Sequence, residues 1–394
     1  MPALRQVLEC LDRLYDPARA ADWDAVGLVC GDPDADVRRI LFAVDPVSVV
    51  ADEAVEWRAD LLVTHHPLFL TPVHGIAATT PKGSVVHRLI RSGVALQVCH
   101  TNADVASPGV SDALGAAIGV QAMRPIDPLP AEPLDKLATF VPLGDTERVI
   151  DALADAGAGA IGAYDRCSFT TTGTGTFRPR AGATPTIGRT GEVARVEESR
   201  VEMVLPRHRR AAVLSALRTA HPYEEPAYDL LELVDVPADV GSGRVGAVAP
   251  EVPLSEFAQR VARALPRTAA GVRVSGDPDQ QVATVAVCGG AGDSLLDAVR
   301  GSAADVYVTS DLRHHRASEF REYAHLAVGS GVALVDVSHW AAEWTWLDRA
   351  ADRLRAELGD AAATVELRVS SLCTDPWAWH VPQAPQLMSK ENAG

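Results

Sequence analysis

Short apolar runs alternate with amphipathic stretches towards both ends of the chain. Runs such as ILFAVD, from Ile40, and TVAVCG, from Thr284, are continuous, which is typical of strands buried on both faces. The stretches between such runs have a helical period. LRQVLECLDRLY, for example, places Leu4, Val7 and Leu11 on one helical face. The pattern predicts βαβ units and therefore an α/β fold.

The same order of runs occurs twice. ADLLVTHH, from Ala59, is followed by GVALQVCHTNAD, and ADVYVTSD, from Ala304, is followed by GVALVDVSHWAAE. Internal similarity of this kind indicates that a structural unit has been duplicated. The sequence therefore predicts two pseudo-duplicated α/β halves that form one core domain.

The segment between the halves has its own repeat. VPLGDTERVIDAL, from Val141, matches LPRHRRAAVLSAL, from Leu205, and in each copy a strand precedes the proline and an amphipathic helix follows it. Two such units predict an inserted ferredoxin-like α+β domain. The predicted division is the first half of the core domain at 1–130, the inserted domain at 131–238, the second half at 239–380 and a flexible tail at 381–394.

Two motifs of the insert invite a functional interpretation. TTGTGTFRPRAG lacks the lysine and the strand-to-helix context of a phosphate-binding loop, so we expect a flexible loop. HPYEEPAYD offers His221, Glu224 and Glu225 as metal ligands, but its two prolines favour a rigid turn.

Composition and charge exclude several classes of protein. With 394 residues, 47% of them hydrophobic, the chain is long enough for a globular protein of two or three domains. A net charge of −16 argues against a nucleic-acid partner. No apolar run approaches the roughly 18 residues that span a bilayer, so we expect no membrane partner. Six scattered cysteines without a CxxC motif predict reduced core thiols in a cytoplasmic protein.

Histidines and carboxylates follow the repeated runs. Adjacent side chains on a strand point to opposite faces, so a shared role for both rings of the HH pair requires the chain to leave the strand there, at Pro67. His100 and Asp104 are four residues apart, and so are His339 and Glu343. On a helix this spacing places the histidine and the acid of each pair on one face. The candidate residues are His65, His66, His100, Asp104, His339 and Glu343. Because the ends of strands are the usual place for functional sites in α/β proteins, these histidines and carboxylates predict a metal site.

The size of this set favours two divalent ions over one. A single zinc ion takes three or four ligands, whereas here five or six candidates come from two halves. Ligation without thiolate suits Zn, Fe, Mn, Co or Ni and does not identify the metal. Two divalent ions against two carboxylates and one hydroxide leave about one positive charge, which would attract an anionic small molecule such as a phosphate. The residues alone leave a mononuclear site open.

Two other groups of residues lie near these motifs. Asp311 and the adjacent pair His314 and His315 follow the second AD-strand, and they either line the pocket or begin a solvated helix. Asp22 and Asp24 flank Trp23, and they either contact the pocket or, as we favour, are turn or cap acids beside a packed tryptophan.

Five segments, WDAVGL, VTHHPL, HTNAD, TSDLRHH and DVSHWAAE, resemble in order the GTP cyclohydrolase 1 type 2 homologue family, the NIF-three-like dinuclear-metal proteins. The insert resembles that of the long bacterial members, which is similar to the PII/CutA fold. Relatives often carry glycine where this chain has Ser310, a small change. The resemblance implies a homohexamer, a proton-transfer or supporting role for His100, and as metal ligands His65, His66, Asp104, His339 and Glu343.

Such a site favours a metal-dependent hydrolase that cleaves a phosphoester or opens the ring of a nucleotide. The family name does not establish that activity, so whether the protein is an enzyme stays open. The alternative is a non-catalytic metal-binding sensor or scaffold whose PII-like insert binds a metabolite or a partner.

Overall fold

The apolar runs that precede the histidine motifs form parallel strands inside two sheets. The computed structural model describes residues 1–234, 237–326 and 331–381. Most of the predicted tail, residues 382–394, therefore lies outside the described residues.

Within the described residues, the α-helices are α1 (Leu4–Leu14), α2 (Ser48–Glu56), α3 (Pro81–Arg91), α4 (Thr101–Val105), α5 (Val110–Ala117), α6 (Thr146–Asp155), α7 (Arg210–Ala220), α8 (Leu254–Ala264), α9 (Leu296–Arg300), α10 (His314–Leu326) and α11 (His339–Leu358). The strands are β1 (Gly27–Cys30), β2 (Arg39–Ala43), β3 (Leu61–Thr64), β4 (Ala95–Val98), β5 (Gln121–Pro130), β6 (Leu134–Pro142), β7 (Phe169–Phe177), β8 (Ala194–Pro206), β9 (Tyr228–Glu232), β10 (Pro237–Pro253), β11 (Arg273–Ser275), β12 (Gln281–Ala291), β13 (Val306–Ser310), β14 (Ala333–Val337) and β15 (Glu366–Val369).

These elements form two compact units. The larger contains residues 1–129 and those from 239 onward, and the smaller contains residues 130–238. The larger unit has a five-stranded sheet in the order β1-β4-β3-β2-β15 and a six-stranded sheet in the order β11-β14-β13-β12-β10-β5. The smaller unit has one sheet in the order β7-β8-β6-β9. The predicted mixture of helices and several sheets is confirmed.

Both sheets of the larger unit are built around parallel strands, and in the five-stranded sheet β15 is also parallel to β2. In the five-stranded sheet β2, β3 and β4 are parallel, and in the other β12, β13 and β14 are parallel. Along β2, Ile40 and Phe42 pack with α1 and α11, while Leu41 packs on the opposite face with α2 and α3. The strands are thus buried on both faces, as the continuous apolar runs predict.

Helix α11 joins the cores of these two sheets. Its Trp346 packs with the side chains of the five-stranded sheet, and its Ala342 packs with those of the six-stranded sheet. The helix begins after Ser338, whose Oγ accepts the Ala341 N–H at 3.3 Å, and it ends at Gly359, where φ is +54°. A serine N-cap and a glycine with positive φ are the usual start and end of a helix.

The smaller unit corrects one prediction. Of the predicted loop TTGTGTFRPRAG, residues 171–177 belong instead to strand β7 (Phe169–Phe177), paired antiparallel with β8 in continuous register, and only residues 178–182 lie outside a strand. The threonines and glycines of β7 are mostly exposed, so the strand depends on main-chain hydrogen bonds rather than on burial. A sequence without apolar alternation conceals a strand of this kind.

Two further expectations need correction. Trp23 is 62% exposed and is not a packed core residue. All six cysteines are free, but only Cys10 and Cys99 are buried and Cys373 is exposed, so they are not uniformly core thiols. Among the described residues, no helix combines the length and apolarity that a membrane crossing requires.

Candidate metal centre

The HH pair lies immediately beyond the carboxyl end of β3. The backbone N–H of His65 donates to the Ala43 carbonyl at 3.2 Å, and that of His66 donates to the Val44 carbonyl at 2.9 Å. Thr64 Oγ1 donates to the carbonyl of His66 at 2.9 Å, which stabilises the turn out of the strand. The two imidazole centroids lie 5.1 Å apart, so both rings reach one site.

That site is centred on the carboxylate of Glu343, a residue that is only 2% exposed. Its Oε1 lies 2.8 Å from His339 Nε2 and 3.3 Å from His65 Nε2, and its Oε2 lies 3.0 Å from His66 Nε2. Burial raises the pKa of Glu343, but the three imidazoles outweigh it and hold the pKa well below its ordinary value. The carboxylate is therefore ionised and surrounded by nitrogen atoms.

The three imidazoles share one orientation. His65 Nδ1 donates to the Cys99 carbonyl at 2.9 Å. His66 Nδ1 donates to Asp45 Oδ1 at 2.7 Å, and His339 Nδ1 donates to Asp311 Oδ2 at 2.7 Å. Because each Nδ1 is held by an acceptor outside the site, each Nε2 is directed into it. Histidines that ligate metals are commonly held in this way.

The electrostatics of the cluster favour positive charge. Burial lowers the pKa of His66, but the carboxylates of Glu343 and Asp45 outweigh it and raise the pKa to about 11. For His339, burial opposes the same Glu343 charge and the pKa rises to about 9. Without a metal, protons on these rings compensate the buried carboxylate.

His100 and Asp104 do not form the pair that their spacing predicts. His100 precedes α4 with non-helical backbone angles, and its Nδ1 donates to Asp24 Oδ1 at 2.8 Å. Asp104 Oδ1 instead lies 3.6 Å from His65 Nε2. Burial raises the pKa of Asp104 to about 6, and burial together with nearby His65 lowers the pKa of His100 to about 4. The two halves therefore use the same spacing differently.

A glycine of the six-stranded sheet completes the wall of the site. Gly290 has φ of +74°, and a Cβ at this position would lie 2.5 Å from Glu343 Oε1 and 3.4 Å from His339 Nε2. None of the histidine and acid motifs points to this glycine, although GG at the end of β12 is a visible signal. No local signal in the sequence indicates that Asp45 orients His66.

These residues have the properties of a metal centre. His65 Nε2 and Asp104 Oδ1 are buried without a hydrogen-bond partner in the structure. Two groups of side chains bring ligand atoms within 4.8 Å of one another: His65, His66 and His100, and His66, His339 and Glu343. Buried polar atoms without a partner are costly, and a divalent ion would satisfy them. The donor set therefore fits a metal.

The site opens into a cavity of about 1350 Å³ in the larger unit. Asp311 lines this cavity, as the first interpretation of the segment predicts. His314 and His315 are exposed at the start of α10, as the second interpretation, a solvated helix start, predicts. Trp23, Trp377 and Trp379 also line the cavity.

Known proteins resemble this chain over nearly its whole length. The family described as Duf34/NIF3 (NGG1p interacting factor 3) matches residues 2–376. A GTP cyclohydrolase 1 type 2 homolog of Mycobacterium leprae is 50% identical over 375 residues, covering 95% of this chain and 94% of that protein. The Bacillus subtilis protein of the same name is 36% identical, covering 95% and 98%.

A solved structure agrees with this result. The crystal structure of a Bacillus cereus protein related to NIF3 is 34% identical, with a TM-score of 0.75, and covers 96% of this chain and 99% of that chain. The matching order of motifs, the fold and the cluster of histidines and acids all point the same way. The chain belongs to the Duf34/NIF3 family.

Proposed function

We propose that the protein is a dinuclear metal-dependent hydrolase that acts on a nucleotide or another phosphorylated small molecule. The observation that carries this proposal is the common orientation of three imidazoles, whose Nε2 atoms converge on Glu343. Divalent ions in such a site supply Lewis acidity and activate water. The ligands that we assign to two ions, drawn from Zn, Fe, Mn, Co and Ni, are His65, His66, Asp104, His339 and Glu343.

His100 is the residue that we assign to proton transfer. Asp24 accepts a hydrogen bond from its Nδ1 and another from the Thr101 N–H at 3.0 Å, so the position of the carboxylate is fixed. This contact leaves Nε2 of the neutral ring as a proton acceptor. His100 also lines the cavity, where a substrate would bind.

The cavity rim supports a nucleotide as the substrate. Trp377 is 70% exposed and Trp379 is 76% exposed, and large exposed aromatic rings beside a cavity suit stacking with a base. Thr374, in the same segment, donates to Asp45, and Ser338 donates to Asp375. The aromatic segment is thus attached to residues that position the metal ligands. Two divalent ions against two carboxylates also leave positive charge for a phosphate.

The proposal is tested by combining a metal count with a substrate screen. We expect elemental analysis of metal-loaded protein to give two ions per chain, and a panel of nucleotides and phosphoesters to include a substrate whose turnover falls in His100→Gln. Binding of nucleotide without any turnover would exclude the hydrolase and favour a sensor. One ion per chain would exclude the dinuclear centre. If Asp104→Ala and Glu343→Ala leave the count unchanged, the ligand assignment is wrong.

The finer features of the fold are also proposals. Each sheet of the larger unit places an antiparallel edge strand, β1 or β11, beside a run of parallel strands, four in the first sheet and three in the second, which supports duplicated halves. The smaller unit has the element order β6-α6-β7-β8-α7-β9, which supports a ferredoxin-like, PII/CutA-like insert. The family resemblance further implies a hexamer, and light scattering of the purified protein would measure its mass.

A further inference from the structure

Two motifs that the proposed function does not use meet in the smaller unit. After β7, residues 178–193 return to the HPYEEP segment, where the Thr184 N–H donates to Glu224 Oε2 at 2.9 Å and Thr186 Oγ1 donates to the Pro222 carbonyl at 2.6 Å. Between these segments and β7 lies a cavity of about 620 Å³. This volume is within the range of small-ligand sites, roughly 300 to 1,000 Å³.

The walls of this cavity are largely apolar and aromatic. Phe140, Phe177, Ile187 and Tyr223 all line it, and the Phe177 and Tyr223 rings pack edge to face at 5.4 Å. Threonines of β7 also line it. An apolar cavity with a few polar groups is the usual form of a site that binds the body of a small organic molecule.

The cavity also contains a carboxylate that lacks a positive partner. Glu198 is only 7% exposed, and its Oε1 accepts the Tyr223 hydroxyl at 2.7 Å. Among the described residues, no lysine, arginine or histidine forms an ion pair with Glu198, and no donor reaches its Oε2. A buried carboxylate with one neutral hydrogen bond is costly, so a donor or cation from a ligand would be strongly favoured.

A glycine on the neighbouring strand leaves space for this carboxylate. A Cβ at Gly175 would overlap Oε2 of Glu198, so glycine is required there for the carboxylate to lie against β7. Two arginines also line the cavity, but among the described residues neither Arg178 nor Arg200 forms an ion pair with Glu198. Arg200 pairs with Glu202 at 2.9 Å, and Glu224 and Glu225 add further negative charge.

We propose that this cavity binds a small, flat, cationic molecule whose amidine-like or amine N–H edge pairs with Glu198. The body of the ligand lies against the rings of Phe177 and Tyr223. This site is separate from the candidate metal centre and does not depend on the proposed hydrolase.

The test uses the full chain and two probes of nearly equal shape and opposite charge, benzamidine and benzoate. Isothermal titration calorimetry should detect benzamidine and not benzoate. Glu198→Gln should weaken benzamidine by about tenfold or more, since a charge-assisted hydrogen bond is lost. Glu197→Gln is the matched control, because it removes the same charge from an exposed neighbour on β8, and it should stay within about twofold.

A second measurement keeps the proposal testable if Glu198→Gln does not fold. In the wild-type chain, bound benzamidine should give nuclear Overhauser contacts to the rings of Phe177 and Tyr223. Benzamidine that binds without these contacts, fails to bind at all, or binds no better than benzoate would overturn the proposal. Equal weakening by Glu197→Gln and Glu198→Gln would also overturn it.

Discussion

The larger and the smaller unit each contain a buried carboxylate beside a cavity, but the surroundings of the two differ. Glu343 has three imidazole nitrogens within 3.3 Å, whereas Glu198 has one tyrosine hydroxyl. Since a buried charge must be compensated, the first carboxylate is compensated by protons or metal ions on its own histidines. The charge of the second carboxylate, Glu198, would be compensated by a bound ligand. The partners of a buried acid therefore indicate what kind of ligand its cavity takes.

The largest expected effect follows from removing the charge of Glu343. Glu343→Gln should abolish metal binding, because a carboxylate that contacts all three imidazoles is lost, and the loss should exceed the roughly 10- to 100-fold effect of an outer partner. Elemental analysis after dialysis measures the metal content. Glu198→Gln is the control and should retain the wild-type content. Equal metal loss in both variants would contradict the distinction between the two acids.

A smaller loss is expected from Gly290→Ala. The new methyl group would displace Glu343 Oε1, which lies 2.8 Å from His339 Nε2, and affinity for metal should fall by about 100-fold. Competition with a chelator of known affinity measures this change.

Gly93→Ala is the matched control for that variant. Gly93 has φ of +70°, close to the +74° of Gly290, but a Cβ at position 93 would meet no heavy atom within 4 Å. Both variants therefore share the backbone strain, and only Gly290→Ala affects the ligands. If Gly93→Ala lowers the affinity as much, the effect comes from strain and not from contact with the site.

The next effect concerns how the imidazoles are held. Asp311→Asn weakens the acceptor for His339 Nδ1 while leaving all ligands in place, and affinity for metal should fall about tenfold. Asp52→Asn, an exposed carboxylate on α2 that pairs with Arg88, should leave it unchanged. Calorimetric titration with Zn²⁺ compares the two, and an unchanged affinity in Asp311→Asn would mean that this contact does not orient the ring.

The sequence predicts which histidines and acids meet better than it predicts the groups that support them. His65 and His339 stand in recognisable motifs directly after apolar strands, so their meeting place follows from the parallel sheets. Asp45 lies 21 residues from His66, and Asp24 lies 76 residues from His100. Such contacts depend on how neighbouring strand ends pack, and no local pattern encodes them.

The smaller unit is harder to predict for a different reason. Each of its two cavity-forming motifs has a separate local interpretation, one as a loop and one as a turn. The partner of β7 is β8, whose Glu198 lies opposite Gly173, and this register brings an acid over a glycine-rich strand. Neither motif alone reveals that register, because the pairing joins residues far apart in the chain.

The smallest expected effect is a dependence of stability on pH in the smaller unit. His221 is buried, its Nε2–H donates to the Phe140 carbonyl at 3.0 Å, and its Nδ1 accepts the Tyr223 N–H at 3.1 Å. Burial lowers the pKa of His221 below its ordinary value of 6.5, although the Phe140 carbonyl opposes this. The folded state therefore prefers the neutral ring, and a proton on Nδ1 would break the contact with Tyr223.

The sign of the effect follows from this preference. Above pH 6.5 the ring is neutral in both states and its contribution to the free energy of unfolding is complete. As the pH falls towards the lower folded pKa, the unfolded state binds the proton first, and stability is lost. Urea unfolding between pH 7 and 5 should show this loss in wild type and a shallower slope in His221→Gln. His208→Gln, at an exposed histidine of the same unit, should keep the wild-type slope, and a slope equally reduced in both variants would show that His221 is not the group responsible.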